Sequence, residues 1–431
     1  MVKWNIKNLC LVLLTLMCVN ANAELLVEIT EGVDQPTNIA VVPFGWNSDS
    51  PLVEDISAII ANDLSRSGMF KLMSKENMLS SPATQDQIFF RDWRISGNDF
   101  MLIGSMKPTG AGLIATVELF DILTEKKIWS QTIESSNNDL RDIAHYIADE
   151  VFQKITGIRG AFSTKVVYVT VEGLGAARKY RLQMADADGA RPRTILSSNE
   201  PILSPTWSRD GKKLAYVSFE TTKPSIYIQH LATGKRQKIQ SFKGINGAPA
   251  WDPSGNRLAL VLSKDGNPEI YILDLTSGNL QRLTRHFGID TEPTWSADGQ
   301  SILFTSDRAG KPQIYRVEIA SGAITRLTYK GNYNSRGRIT QDGRFLTMVH
   351  RDENGFHIAV QDLTTDRLDI LTNSRDDESP TIAPNGVVVM YATKKNGKGV
   401  LAGVSLDGKI KFTMPNASGD VREPAWSPFL D

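Results

Sequence analysis

Bond-breaking chemistry would have to be assembled here from five histidines and from carboxylates drawn from 48 acidic residues. His145, His230, His286, His350 and His357 are dispersed, and none lies three or four residues from another, the spacing that would set two ligands on one face. His350 and His357 are seven apart and fit opposite sides of one hairpin. All five read as ordinary surface or packed side chains. Asp376, Asp377 and Glu378 form an acidic run that could hold a cation at a channel mouth, although a solvated loop is the simpler reading. A Gly-x-Ser-x-Gly nucleophile elbow is absent, and so is a Gly-rich phosphate loop followed by Lys and Ser or Thr. Gly173-Leu174-Gly175 is only a lone Gly pair. No catalytic residue, metal site or cofactor follows from these residues.

Five short segments carry recognition chemistry instead. They are Asn246-Gly247-Ala248, Thr291-Glu292-Pro293, Ser335-Arg336-Gly337, Asp377-Glu378-Ser379 and Arg422-Glu423-Pro424. Small residues leave a concave surface, and Glu, Arg and Asp supply hydrogen bonds, which suits a protein or peptide ligand. Ordinary loop chemistry accounts for the same residues equally well unless an element brings the segments together.

A repeat would do so. Trp207, Trp251, Trp295, Ile339, Ile382 and Trp426 are spaced 44, 44, 44, 43 and 44 residues apart. Each is followed by a tight turn such as Asp210-Gly211, Asp298-Gly299 or Asn385-Gly386, where Gly takes positive φ without steric cost. An apolar run, an alternating run such as Glu269-Ile-Tyr-Ile272 and a last short run such as Gln281-Arg-Leu-Thr284 complete each unit. Four antiparallel strands per 44 residues is one blade of a β-propeller. The Pro, Gly and β-branched density argues against a helical repeat. The last unit has only its first strand, whereas residues 166–197 offer three strands with no Trp motif before them. Joining the two predicts a six-bladed ring closed by both ends of the repeat region, with no free edge. The five segments would then lie just before each inner strand and converge on one rim. The recurring Trp residues would pack between blades rather than form a ligand cage.

The rest of the chain has a different texture. Lys3 and Lys7, an apolar run from Leu9 to Val19 and Ala21-Asn22-Ala23 predict a secretory signal peptide over residues 1–23. The run is short for a membrane span. Cys10 and Cys18 would leave with it, so no disulfide or cysteine metal site is expected. The remaining 46 basic and 48 acidic residues point to neither nucleic acid nor an anionic membrane. Residues 24–160 read as a small α/β domain with a mixed sheet and two main helices, one opening at Leu52 behind Pro51 and ending at Gly68, the other over residues 140–155 and ending at Gly157. A weaker helix is expected over residues 86–94. The propeller would occupy residues 161–431. Residues 24–34 form an extension in which Leu25, Val27 and Ile29 alternate with Leu26, Glu28 and Thr30, a pattern able to add to a sheet edge.

A leader, a small α/β domain and six units carrying Glu/Ser/Ala-Pro-x-Trp-x-x-Asp-Gly together resemble the TolB family. The likeness runs from Glu24 to the C-terminus and includes Ile39-Ala-Val-Val-Pro-Phe44, Glu150-Val-Phe-Gln-Lys-Ile-Thr-Gly157, Thr291-Glu-Pro-Thr-Trp295 and Pro424-Ala-Trp-Ser-Pro428. The resemblance implies a monomeric, non-enzymatic periplasmic scaffold of the Tol-Pal system, which supports outer-membrane integrity and envelope constriction at division. It implies that the rim (Asn246, Gly247, Ala248, Thr291, Glu292, Pro293, Ser335, Arg336, Asp377, Glu378, Arg422 and Glu423) grips the lipoprotein Pal. Ala248 and Thr291 stand at family positions tied to that contact. The position two before Gly247, a His in well-known members, is Ile245 here. It further implies that Glu24, Leu25, Leu26, Val27, Glu28, Ile29, Thr30, Glu31, Gly32, Val33 and Asp34 recognise TolA, that Pal binding tucks this extension away, and that other envelope proteins and colicins are further ligands. The residues alone leave two other readings, a secreted propeller that binds peptidoglycan or carbohydrate and a propeller hydrolase. Sugar binding would want exposed rim aromatics, and hydrolysis would want converging His and carboxylates.

Overall fold

The computed structural model describes residues 26–29, 36–49, 51–52, 54–110, 112–136, 139–414 and 419–430. The expected leader over residues 1–23, and Glu24, Leu25, Thr30, Glu31, Gly32, Val33 and Asp34 of the extension, lie outside the described residues.

The N-terminal domain is a mixed sheet whose strands run in the order Phe70–Leu72, Thr37–Val41, Phe100–Thr109, Gly112–Asp121 and Lys126–Ser135, with Gly45–Trp46 beside the third. Thr37–Val41 is parallel to both neighbours, and the later pairs are antiparallel. Alternate side chains of these strands face opposite ways. Ile39, Val41, Leu102 and Val117 meet helices α1 (Ile56–Arg66) and α3 (Leu140–Thr156), whereas Ala40, Val42, Met101 and Phe120 meet Trp93 of α2 (Phe90–Ile95). Helix α1 starts at Ile56 rather than Leu52. Asp55 takes the cap, its carboxylate accepting from Ala58 N at 3.1 Å, and a capping carboxylate outweighs the nearby Pro. The helix expected over residues 86–94 divides into a 3₁₀ turn, Gln85–Gln87, and α2. Gly157 closes α3 in the left-handed conformation, φ 75°.

Six sheets form the propeller. Blades 1 to 5 begin with the inner strands Ile202–Trp207, Asn246–Trp251, Asp290–Trp295, Asn334–Ile339 and Glu378–Ile382. Blade 6 is composite: Lys165–Glu172, Lys179–Asp186 and Arg193–Ser198 receive Asp420–Trp426 as their inner strand, with Trp426 opposite Val166. The closure expected from the repeat is the closure observed. Blade 5 has a fifth strand, because Leu26–Ile29 pairs antiparallel with its outer strand Ile410–Thr413, Leu26 opposite Thr413 and Ile29 opposite Ile410.

Apolar cores lie between blades. Trp207 packs with Val169 and Leu182 of blade 6 and Leu214 of blade 1; Trp295 packs with Val261 and Ile272 of blade 2 and Phe304 of blade 3. The indole N–H groups of Trp207 and Trp295 each donate to the preceding inner strand, at Ala425 O and Ala250 O, both at 3.0 Å. Trp207 and Trp295 therefore each tie two blades by area and by one hydrogen bond, whereas the buried indole N–H of Trp251 has no such partner. Among the described residues, no helix is long and apolar enough to cross a membrane.

Candidate functional site

Every inner strand carries a bulge where its pairing to the second strand shifts register. One residue within each bulge takes left-handed backbone: Ser204 (φ 50°), Ala248 (42°), Glu292 (54°), Arg336 (53°), Ser379 (56°) and Glu423 (49°). None is Gly, so each conformation costs about 1–2 kcal/mol. Repetition in all six blades marks it as part of the architecture, and the bulge re-aims these side chains. Several meet at the axis. Arg336 Nε lies 2.8 Å from Glu292 Oε1, and Nη2 lies 3.8 Å from Glu423 Oε1 across the channel. Arg336 also donates to Ser379 Oγ, and Glu423 accepts from Ser204 N. Thr305 Oγ1 and Arg336 N donate to Glu292 Oε2 at 2.9 and 3.0 Å.

This polar waist separates two cavities. The lower, about 350 Å³, is lined by Trp207, Trp251, Trp295 and Trp426 and by Arg338. The upper, about 490 Å³, opens where the inner strands begin and is lined by Tyr333, Phe356, Asp376, Glu378, Lys394 and Arg422. Glu292 and Arg336 border both. Arg336 keeps 29% side-chain exposure through the channel. Confinement by protein works against its charge, but Glu292 and Glu423 outweigh that and raise its pKa. Burial pushes the Glu423 carboxyl up, with Arg336 opposing. Below them burial pulls Arg338 down to about 10, while Nη1 donates to Thr294 Oγ1 at 2.7 Å. The arrangement fixes charges and hydrogen-bonding groups for recognition.

The twelve expected rim residues do not lie just before the inner strands. They occupy the strands themselves or, for Asp377, the residue before one. Hydrogen bonding draws part of the set into the fold. Asn246, 3% exposed, accepts from Phe242 N and donates to Phe242 O, both at 2.8 Å, closing the loop into its strand. Asp377 is 1% exposed and accepts from the Thr372 and Ser374 hydroxyls, so the acidic run is not simply a solvated loop. Pro293 and Ser335 are also buried. Gly247, Ala248, Thr291, Glu292, Arg336 and Glu423 are half-buried, and Glu378 and Arg422 are exposed. Ile245, Phe287 and Ile289, in loops leading into blades 2 and 3, add exposed apolar surface. Of the extension, Leu26, Val27, Glu28 and Ile29 form the strand on blade 5.

Sequence reasoning named Glu292, Arg336 and Glu423 as rim residues but missed the waist they form with one another. Its signal was present, because five of the six left-handed residues immediately precede Pro and the sixth precedes Gly337. Arg338 gave no signal beyond its place next to that Gly. His350 and His357 do face each other across a hairpin. His145 is neither a surface residue nor a simply packed one: its Nδ1 lies 2.6 Å from Asp63 Oδ2 in a buried cluster at the domain junction.

Two family descriptions match the chain: "TolB amino-terminal domain" over residues 25–128 and "TolB beta propeller domain" over residues 152–430. The "Tol-Pal system protein TolB" of Pseudomonas aeruginosa is 56% identical over 421 residues, covering 97% of this chain and 98% of that protein. Its namesake in Pseudomonas putida is 54% identical over 432 residues, covering 99% and 100%. The crystal structure of TolB from Acinetobacter baumannii superposes with a TM-score of 0.86 at 42% identity, covering 94% of this chain and all of that one. Both domains are thus matched by sequence and by architecture, and the chain belongs to the TolB family, the Tol-Pal system proteins of the cell envelope.

Proposed function

We propose that the protein is a non-enzymatic periplasmic scaffold of the Tol-Pal system that binds Pal at the upper mouth of the propeller and TolA through residues 24–34. The leader over residues 1–23 is removed on export, leaving an α/β domain over residues 24–160 and a propeller over residues 161–431. The observation that carries this reading is the upper cavity, whose walls come from blades 3 to 6 and present charged and aromatic groups. Such a mouth suits a folded partner that inserts a protruding segment. The name borne by the relatives, Tol-Pal system protein, supports partners from within that system, and colicins would compete for the same mouth. The extension fits a strand-addition partner, since four of its residues already adopt strand geometry. Linking the two membranes through these surfaces would support outer-membrane integrity and invagination at division.

Calorimetric titration of the mature chain with purified Pal tests the rim. The double variant Glu378→Ala/Arg422→Ala should weaken binding at least tenfold and leave TolA binding intact. Deleting residues 24–34 should abolish TolA binding and preserve or strengthen Pal binding. Pal binding at full strength by the double variant overturns the rim assignment, and undiminished TolA binding by the truncated chain overturns the extension's.

A further inference from the structure

The domain junction contains a buried ion-pair cluster that the channel does not use. At its centre is His145 of α3, 1% exposed. Its Nδ1 donates to Asp63 of α1 at 2.6 Å, and its Nε2 faces Asp186 and Asp188 of the propeller at 3.7 and 3.9 Å. Arg66 pairs with Asp63 and also crosses the junction, donating to Ala187 O at 3.0 Å. Arg141 of α3 pairs with Asp188, and Arg191 of the propeller reaches back to Asp142 of α3 at 3.2 Å. The ligand atoms of Asp63, His145 and Asp188 lie within 4.8 Å of one another, close enough for a metal trio. Arg66 and Arg141 already bind two of those carboxylates, so a divalent cation would face two guanidinium groups. A proton on the imidazole serves the same carboxylates with one positive charge rather than two, and so with less of that repulsion.

The last turn of α1 connects this cluster to the strand-accepting edge of blade 5. Arg66, besides its ion pair, places its guanidinium carbon 5.9 Å from the ring centre of Phe412. Two residues on, a Cβ added to Gly68 would stand 2.6 Å from Cγ1 of Ile410. Ile410 and Phe412 belong to the strand that pairs with Leu26–Ile29. The end of α1 therefore backs the acceptor strand while its preceding turn is bolted to the propeller.

We propose that the junction cluster is a latch: by fixing α1 against the propeller it holds the Ile410–Thr413 edge in place to receive the Leu26–Ile29 strand, and loosening it releases that strand. The proposal concerns docking of the strand on its own chain, and it stands whether or not TolA is the extension's partner. Hydrogen exchange followed by mass spectrometry on the mature full-length protein tests it, using Asp188→Asn and, separately, Arg191→Gln at the cluster's more accessible side. Amides 26–29 and 410–413 should exchange about tenfold faster or more in both variants, with blades 1 to 3 unchanged. Unchanged exchange at 26–29 overturns the proposal, whether or not peptides 141–147 and 186–191 loosen. Loss of protection throughout the N-terminal sheet also overturns it, because the cluster would then be a requirement for folding that domain.

Discussion

Arg336 shows how much one side chain can carry when several backbones are bent toward it. It touches Glu292, Ser379 and Glu423, which come from three other blades. Arg336→Met leaves Glu292 and Glu423 confronting each other, and a loss of about 2 kcal/mol is expected in urea unfolding. Arg336→Lys should recover less than half of it, since one ammonium cannot span three partners as the planar guanidinium does. Wild-type stability in Arg336→Lys would mean that net charge alone matters at the waist. The second residue-scale prediction concerns His145. Burial opposes its charge, but Asp63 and the propeller carboxylates outweigh burial and lift its pKa to about 10, against 6.5 as the ordinary value. A raised pKa stabilises the fold fully below about pH 6.5, progressively less as pH rises, and not at all above about 10. Unfolding free energy should therefore drop by a few kcal/mol more between pH 7 and 10 in the wild type than in His145→Gln. Groups that titrate in both proteins cancel in that difference, so parallel pH profiles would show that His145 is not charged in the fold. The Trp series was legible at this scale because it recurs at one position per unit. His145 was not, since its partners come from elements distant in sequence and a single His has no period.

Among elements, α1 is where local and long-range demands meet. Its end was legible: Gly68 takes φ +77°, which only Gly adopts cheaply. Its start was not, because Pro51 and Asp55 are both good N-terminal signals and only the hydrogen bond to Ala58 decides between them. Asp55→Ala should cost about 1 kcal/mol in urea unfolding and leave the extension's strand docked. Gly68→Ala should cost at least as much, through backbone strain and the close approach to Ile410, and should also raise exchange of amides 26–29. The contrast separates stability of the helix from its support of the neighbouring blade; equal exchange in the two variants would show that the helix end does not back that strand. The alternation of Leu25, Val27 and Ile29 signalled a strand. It could not signal where the strand pairs, because the acceptor edge lies near the other end of the chain. The inner-strand bulges were hidden for a different reason: Glu or Ser before Pro is compatible with ordinary extended backbone, and only ring geometry forces left-handed φ.

At the scale of the molecule the six-bladed ring was legible from its 44-residue period and from the mismatch between its first and last units. That closure and the fifth strand on blade 5 each bring a strand to a blade from a distant part of the sequence, yet they carry different loads. Asp420–Trp426 lies inside the ring, pairs with Lys165–Glu172, and supplies Glu423 to the waist. Trp426 also donates from its indole to Thr164 Oγ1 at 2.7 Å. Removing residues 420–431 would take out an inner strand, open an apolar blade edge and break the axial ion network together. The truncated chain should lose its cooperative unfolding transition and elute as aggregates in size-exclusion chromatography. Leu26–Ile29 lies outside the ring and pairs with the outer edge of a blade that is already four strands wide. Its removal should shift the midpoint by no more than a degree or two, since about 0.5 kcal/mol moves a large domain that little. A ring that still melts cooperatively without residues 420–431 would mean that inter-blade packing alone closes it, and the waist would then owe its geometry to the bulges rather than to the tail.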